Sequence, residues 1–266
     1  MLDLLNYDFM KYALVAILLV SPIFAILGTM IINNKMAFFS DIIGHSSLTG
    51  LAIGILLGLK EPLWAMIALA VLLALAVGLL KKITNSSSDT VLGVLFSFVT
   101  ALGVVLLSSG GNFSRYSVYL IGDVVAVSGE QFTWLIIIFI ITVFYWIIFG
   151  NRLLLIGINP LLAKSREVNV FLVEISFSIL VAVIVVVSIR LVGILVINSL
   201  LILPAAAARN VAKNSAQYMR FSIIISIFSG LSGLLIAFYI GTAAGATIAL
   251  VSAGIYVFTL VVKKWN

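Results

Sequence analysis

Apolar residues run along this chain in long stretches with few polar interruptions, and neither the strand period of two nor the narrow stripe of an amphipathic helix dominates. A bilayer crossing takes about 20 apolar residues at a rise of about 1.5 Å each. Eight stretches approach that length: 11–32, 36–58, 62–80, 90–108, 132–149, 170–189, 219–240 and 245–262. A ninth, "RLVGILVINSLLILPAAAAR" (190–209), follows the sixth with no loop and carries Asn198 and Pro204, so it predicts a short or broken crossing. Between the fourth and fifth spans, "YSVYLIGDVVAVS" (116–128) is apolar but too short to cross. It reads as a re-entrant or interfacial segment, which needs other helices to bury its backbone. No tandem repeat interrupts the pattern. The expected class is an all-α polytopic membrane protein in one transmembrane domain, 1–266, with about nine helices, or eight if 190–209 does not cross.

Composition agrees. Of 266 residues, 64% are hydrophobic and 9% charged, against about 25% charged in a soluble domain. The net charge of +6 comes from basic residues placed singly or in pairs between apolar runs, which is a topology signal and not a nucleic-acid footprint. Nine crossings put Lys35, Lys81, Lys82, Arg152, Lys164, Arg166, Arg209, Lys213, Arg220, Lys263 and Lys264 on one side. They leave Lys11, Lys60, Arg115 and Arg190 on the other. The positive-inside rule then predicts the N-terminus outside and the C-terminus cytoplasmic. Without the 190–209 crossing, Lys263 and Lys264 would lie outside. The chain has no cysteine, so disulfides and thiolate metal sites are excluded.

Ionisable groups in hydrocarbon are costly and mark function by default. The sole histidine follows an aspartate by four residues in "SDIIGHSSLTG" (40–50). On a helix from about residue 36, Asp41 lies roughly 8 Å and His45 roughly 14 Å along the axis, near mid-bilayer. The pair shares one face, extended by Thr49 and Ala52. Ser46, Gly50, Gly54 and Gly58 form a separate small-residue stripe suited to close helix packing, which leaves the Asp41/His45 face to look into a cavity. As a bare pair these residues fit either helix packing or a cation or proton site, since imidazole and carboxylate serve divalent first-row metals where thiolate is absent. Asp123, after Gly122, reads as a turn residue or as a third ligand dipped into the same cavity. Glu174 and Asn198 read as packing or hydrogen-bonding residues. A short amphipathic piece of Pro160, Leu161, Leu162, Ala163, Lys164, Ser165, Arg166 and Glu167 sits in the connection 151–169, which is expected to be cytoplasmic.

With these residues laid out, the chain resembles the membrane permease subunits of bacterial zinc/manganese ATP-binding-cassette importers. The resemblance rests on "SDIIGHSSLTGLAIGILLG" (40–58), "SSDTVLGVLFSFVTALGVVL" (87–106), "YLIGDVVAVS" (119–128), "VGILVINSLLILPAAAAR" (192–209) and "GTAAGATIALVSAGIYVFTLV" (241–261), in that order. It implies a multi-pass protein of the cell membrane, a permease homodimer or paired core amid lipid, a separate cytoplasmic ATPase and an extracytoplasmic metal-binding receptor. Asp41, His45 and Asp123 match positions that line the metal route in that family. The piece 160–169 matches its coupling helix, where Ala163 is expected to sit in the ATPase groove. Two departures stand out. Leu161 and Glu167 replace an acidic residue and a glycine of that segment, and Asn34 and Lys35 stand where arginine-glycine is common.

The chain lacks G-x-x-x-x-G-K-[ST], so no ATP hydrolysis is expected from it. No cofactor is expected to reside in it: Zn2+ or Mn2+ would be cargo, with zinc favoured and iron as a further candidate. The competing reading is a secondary or proton-coupled divalent cation carrier, which needs no docking segment at 151–169. An intramembrane metalloprotease would want paired histidines on one helix, such as H-E-x-x-H.

Overall fold

The computed structural model describes residues 8–84, 88–109 and 129–265. The expected re-entrant segment 116–128, Asp123 within it and Arg115 lie outside the described residues. The described chain is helical throughout, with no strand: α1 Asp8–Asn33, α2 Ala37–Leu56, α3 Leu63–Thr84, α4 Ser88–Ser109, α5 Gly129–Ile158, α6 Pro160–Ser165, α7 Val170–Val192, α8 Ile194–Val211, α9 Ser215–Ile240 and α10 Ala244–Trp265. All but α6 are long and apolar enough to cross a membrane, so nine candidate crossings stand among the described residues.

The stretch 190–209 is one of them. Helix α8 runs for 18 residues without interruption around Pro204, or about 27 Å of axis, close to the ~30 Å of a hydrocarbon core. It is short and it is not broken. Gly193, at φ 83°, lets α7 end and α8 begin without a loop, in a backbone region where a side chain is disfavoured. Two expected loops are partly helix. Lys81 and Lys82 form the last turn of α3, and α5 continues through 151–158 before the chain turns. Polar residues end an apolar run there without ending the backbone hydrogen bonding.

The helices fall into two compact units. The first gathers α1, most of α5, α8, α9 and α10. Lipid tails offer no hydrophobic drive for helix association, so small residues and hydroxyls do the joining. A Cβ on Gly28 of α1 would run into the Leu201 carbonyl oxygen of α8, and one on Gly233 of α9 would lie 2.6 Å from Ile248 Cα of α10. Ser222 and Ser226 of α9 donate to the Ala25 and Ser21 carbonyls of α1 at 3.3 and 3.0 Å.

The second unit gathers α2, α3, α4, α6, α7 and the last turns of α5. Its centre is the α2–α3 hairpin. A Cβ on Gly50 would sit 2.6 Å from Met66 Cα, and one on Gly54 would sit 3.1 Å from Pro62 Cα and Ala65 Cβ. Gly50 and Gly54 of the small-residue stripe therefore pack closely on α3, whereas the last glycine of the stripe does not. Gly58 meets nothing; at φ 66° it closes α2, its N–H bonded to Ile55 O while Leu59 N–H reaches Gly54 O, both at 3.0 Å. This is a Schellman turn.

Helix α6 ends in the same turn without the glycine. Glu167 N–H bonds to Lys164 O at 3.0 Å and Val168 N–H to Ala163 O at 3.1 Å, with Glu167 at φ 60°. Lys35, between α1 and α2, has φ 56°. Among the described residues these two are the non-glycine residues with positive φ. A side chain in the left-handed region costs about 1–2 kcal/mol, partly offset by the chain entropy a glycine loses on folding. Glu167→Gly and Lys35→Gly are each expected to stabilise the purified protein by about 0.5–1 kcal/mol. Thermal unfolding in detergent checks this, and an unchanged or lower melting temperature in both variants would refute it.

Candidate metal site and coupling helix

Helix α2 carries Asp41 and His45 one turn apart, so both side chains leave the same face. His45 Nε2 lies 3.8 Å from Asp41 Oδ1, with the side chains 39% and 41% exposed. That separation is too long for a hydrogen bond. Two ligands at about 2.1 Å from one tetrahedral ion stand about 3.4 Å apart, so a small side-chain rotation would let both atoms reach a single cation. The face does not look into an open cavity along its whole length, as the sequence suggested, because α4 covers its second half. The His45 ring meets Phe96 edge-on with centroids 5.3 Å apart. Thr49 is buried and donates to Val99 O at 2.8 Å, and a Cβ on Gly103 would strike its hydroxyl.

Around Asp41 the helices part. A groove of about 300 Å3 runs between α2 and α4, lined by Phe38, Asp41, Ile42, Leu92, Gly93 and Phe96. At Gly93 the groove is open, since a Cβ there would meet nothing within 4 Å. The carboxylate is thus the polar group of an apolar groove, with the imidazole one turn along and held by an aromatic edge. Neutral imidazole supplies one lone pair and carboxylate a charge, a donor set suited to divalent first-row cations with coordination positions left over.

Among the described residues no three histidine, cysteine, aspartate or glutamate side chains gather as a metal-holding group. The third expected ligand, Asp123, lies outside them. Glu174, read as a packing or hydrogen-bonding residue, is an ion-pair residue: its carboxylate lies 3.8 Å from Lys81 Nζ. Asn198 lies in the first half of α8, half-buried.

The piece at 160–167 forms helix α6, Pro160–Ser165, with Arg166 as its C-cap and Glu167 beyond it. Asn159 caps it, its Oδ1 accepting from Leu161 N–H at 2.9 Å and Leu162 N–H at 3.2 Å, and Pro160 fills the first position, where no N–H is needed. Six residues do not hold a helix in isolation; capping at both ends and burial of Ala163 hold this one. Ala163 is 0% exposed within this chain alone, whereas Leu161 and Leu162 are 75% and 44% exposed. Ala163 therefore faces its own protein, and the outward apolar face belongs to Leu161 and Leu162. Periodicity over so short a piece could not separate the two.

The chain is 34% identical over 255 residues to the high-affinity zinc uptake system membrane protein ZnuB of Haemophilus influenzae, covering 96% of this chain and 97% of that one. It is 27% identical over 253 residues to the manganese transport system membrane protein MntC of Listeria innocua, covering 95% and 90%. Among solved structures, PsaBC from Streptococcus pneumoniae in complex with Fab superposes with a TM-score of 0.82 at 26% identity, covering 96% of this chain and 92% of that one. With the ABC 3 transport family matching residues 6–263, and nine candidate crossings among the described residues in the order the sequence laid out, the chain belongs to the ABC 3 transport family.

Proposed function

We propose that this chain is the membrane permease subunit of an ATP-driven importer of divalent metal ions, taking the ion from an extracytoplasmic receptor and passing it to the cytoplasm. Zinc is the favoured cargo and manganese the alternative, because the 34% identical relative is named for zinc and the 27% identical one for manganese. The observation that carries the reading on the structural side is the Asp41/His45 pair, 3.8 Å apart inside an apolar crossing, with Asp41 open to a groove. Asp123 joins them as the third ligand in this proposal. A separate ATPase docks on α6, and a second permease copy pairs with this one. The N-terminus lies outside and the C-terminus in the cytoplasm, a polarity supported by the eleven-to-four division of Lys and Arg.

The test is reconstitution in vesicles with a partner ATPase and metal-binding receptor. Zinc uptake is expected only with ATP, and the permease alone is expected to hydrolyse none. Cysteines placed at Lys164 and Lys60 should label from opposite faces of intact cells with an impermeant reagent, on a background free of native thiols. Uptake driven by an ion gradient without ATP would refute the importer assignment. Labelling of both positions from outside would refute the polarity.

A further inference from the structure

Helix α7 is apolar all round, with Glu174 and Arg190 as its only charged residues over 23 positions. Such a helix has no unique face, so its rotation and register must be set by a few specific contacts. Three of these lie in its first two turns, and all three meet the end of α3. Lys82 holds its ammonium 4.6 Å from the centre of the Phe171 ring. Glu174 pairs with Lys81 at 3.8 Å, with the two side chains only 31% and 25% exposed. Gly78, one turn earlier on α3, receives Ile175 so closely that a Cβ would lie 2.6 Å from its Cγ1.

These contacts begin six residues after α6 ends. On the other flank of α6, Gly157 in the last turn of α5 lies on the backbone of Asn33, with its Cβ position 3.0 Å from the Asn33 carbonyl oxygen. Asn33 opens the turn into α2, and Lys81 closes α3. The two flanks of α6 therefore hold the two far ends of one hairpin, α2–α3, which Gly50 and Gly54 lock together and which carries Asp41 and His45.

We infer that the Glu174–Lys81 pair, backed by Lys82 on Phe171, is a clamp that carries displacement of α6 to the α2–α3 hairpin and hence to the Asp41/His45 pair. Glu174 is a positioning residue: it touches no cargo and acts by fixing α7 against α3. A partly exposed ion pair adds little to stability, and an apolar pair of similar volume would hold two helices together as well or better. What charge adds at this place is a single register, because a slip of α7 by one residue turns it about 100° and separates the partners.

The inference rests on the importer reading, and one assay separates the two. The complete complex of permease, ATPase and receptor is reconstituted in vesicles with Zn2+ as probe, and zinc moved per ATP hydrolysed is measured per folded complex. Glu174→Gln and Lys81→Met are each expected to lower that ratio about tenfold with ATP hydrolysis retained. The exchange Glu174→Lys with Lys81→Glu should restore at least half of it. If the single variants fail to assemble, Phe171→Leu, which removes only the aromatic face, should lower the ratio about twofold. A wild-type ratio in the single variants, even with lowered thermal stability, would overturn the clamp while leaving the importer intact. No ATP-dependent uptake by the wild-type complex would overturn both.

Discussion

Replacing His45 with alanine is expected to lower zinc uptake by the reconstituted complex roughly a hundredfold, at the upper end of what even the outer partners of metal sites contribute. Asp41→Asn should do the same although it preserves shape and volume. A divalent ion entering hydrocarbon loses hydration that has to be replaced, and a carboxylate offsets charge where the amide cannot. Helix α2 places the two donors one turn apart and 3.8 Å from each other, so removal of either leaves the ion with a single protein ligand on this face. Packing is the competing explanation, since the imidazole edge meets Phe96 and such aromatic contacts contribute about 0.5–1.5 kcal/mol. His45→Phe distinguishes the two. Phenylalanine keeps the edge contact and cannot ligate, so thermal stability should stay near wild type while uptake is lost. Radiolabelled zinc and manganese uptake, normalised to folded complex, reads the outcome. Uptake near wild type in His45→Phe would make this histidine a packing residue.

Much of this fold is legible in hydropathy, because a bilayer imposes one length on every crossing. The expected span 90–108 becomes Ser88–Ser109, and 170–189 becomes Val170–Val192. The misses share a cause: hydropathy reports where lipid ends, whereas a helix ends where its hydrogen bonding ends. Asn151 and Arg152 stop the apolar run of α5, yet the helix continues to Ile158. Gly58 fits the four-residue spacing of the α2 stripe, yet it serves as a left-handed cap. The shared face of Asp41, His45 and Thr49 follows from spacing alone. That α4 lies against it does not, since a single sequence carries no information on which helix meets which. Glu174 could not be paired with Lys81 for the same reason, since they stand 93 positions apart. The inward aspect of Ala163 was hidden by the brevity of α6, where six residues fit almost any face assignment.

Docking on α6 is therefore tested at Leu161, on its outward face. A charge at Ala163, buried within this chain, would disturb the permease itself and say little about a partner. Leu161→Ala truncates a side chain 75% exposed here, so thermal stability of the isolated permease should change little. In the complex it should weaken docking of the ATPase about tenfold or more, the scale of an anchor residue at an interface. The rest of α6 is built to present that residue. Asn159 and the turn at Glu167 cap both ends, and Ala163 seats one side, so the exposed leucines reach a partner without first paying the entropy of ordering the segment. A short helix laid into a groove is read through such apolar anchors, and truncating one removes that contact. Co-purification of the separately encoded ATPase, with zinc uptake per permease, measures the loss. Undiminished co-purification and uptake in Leu161→Ala would place the ATPase on another surface, and would also remove α6 as the origin of movement relayed through Glu174 and Lys81.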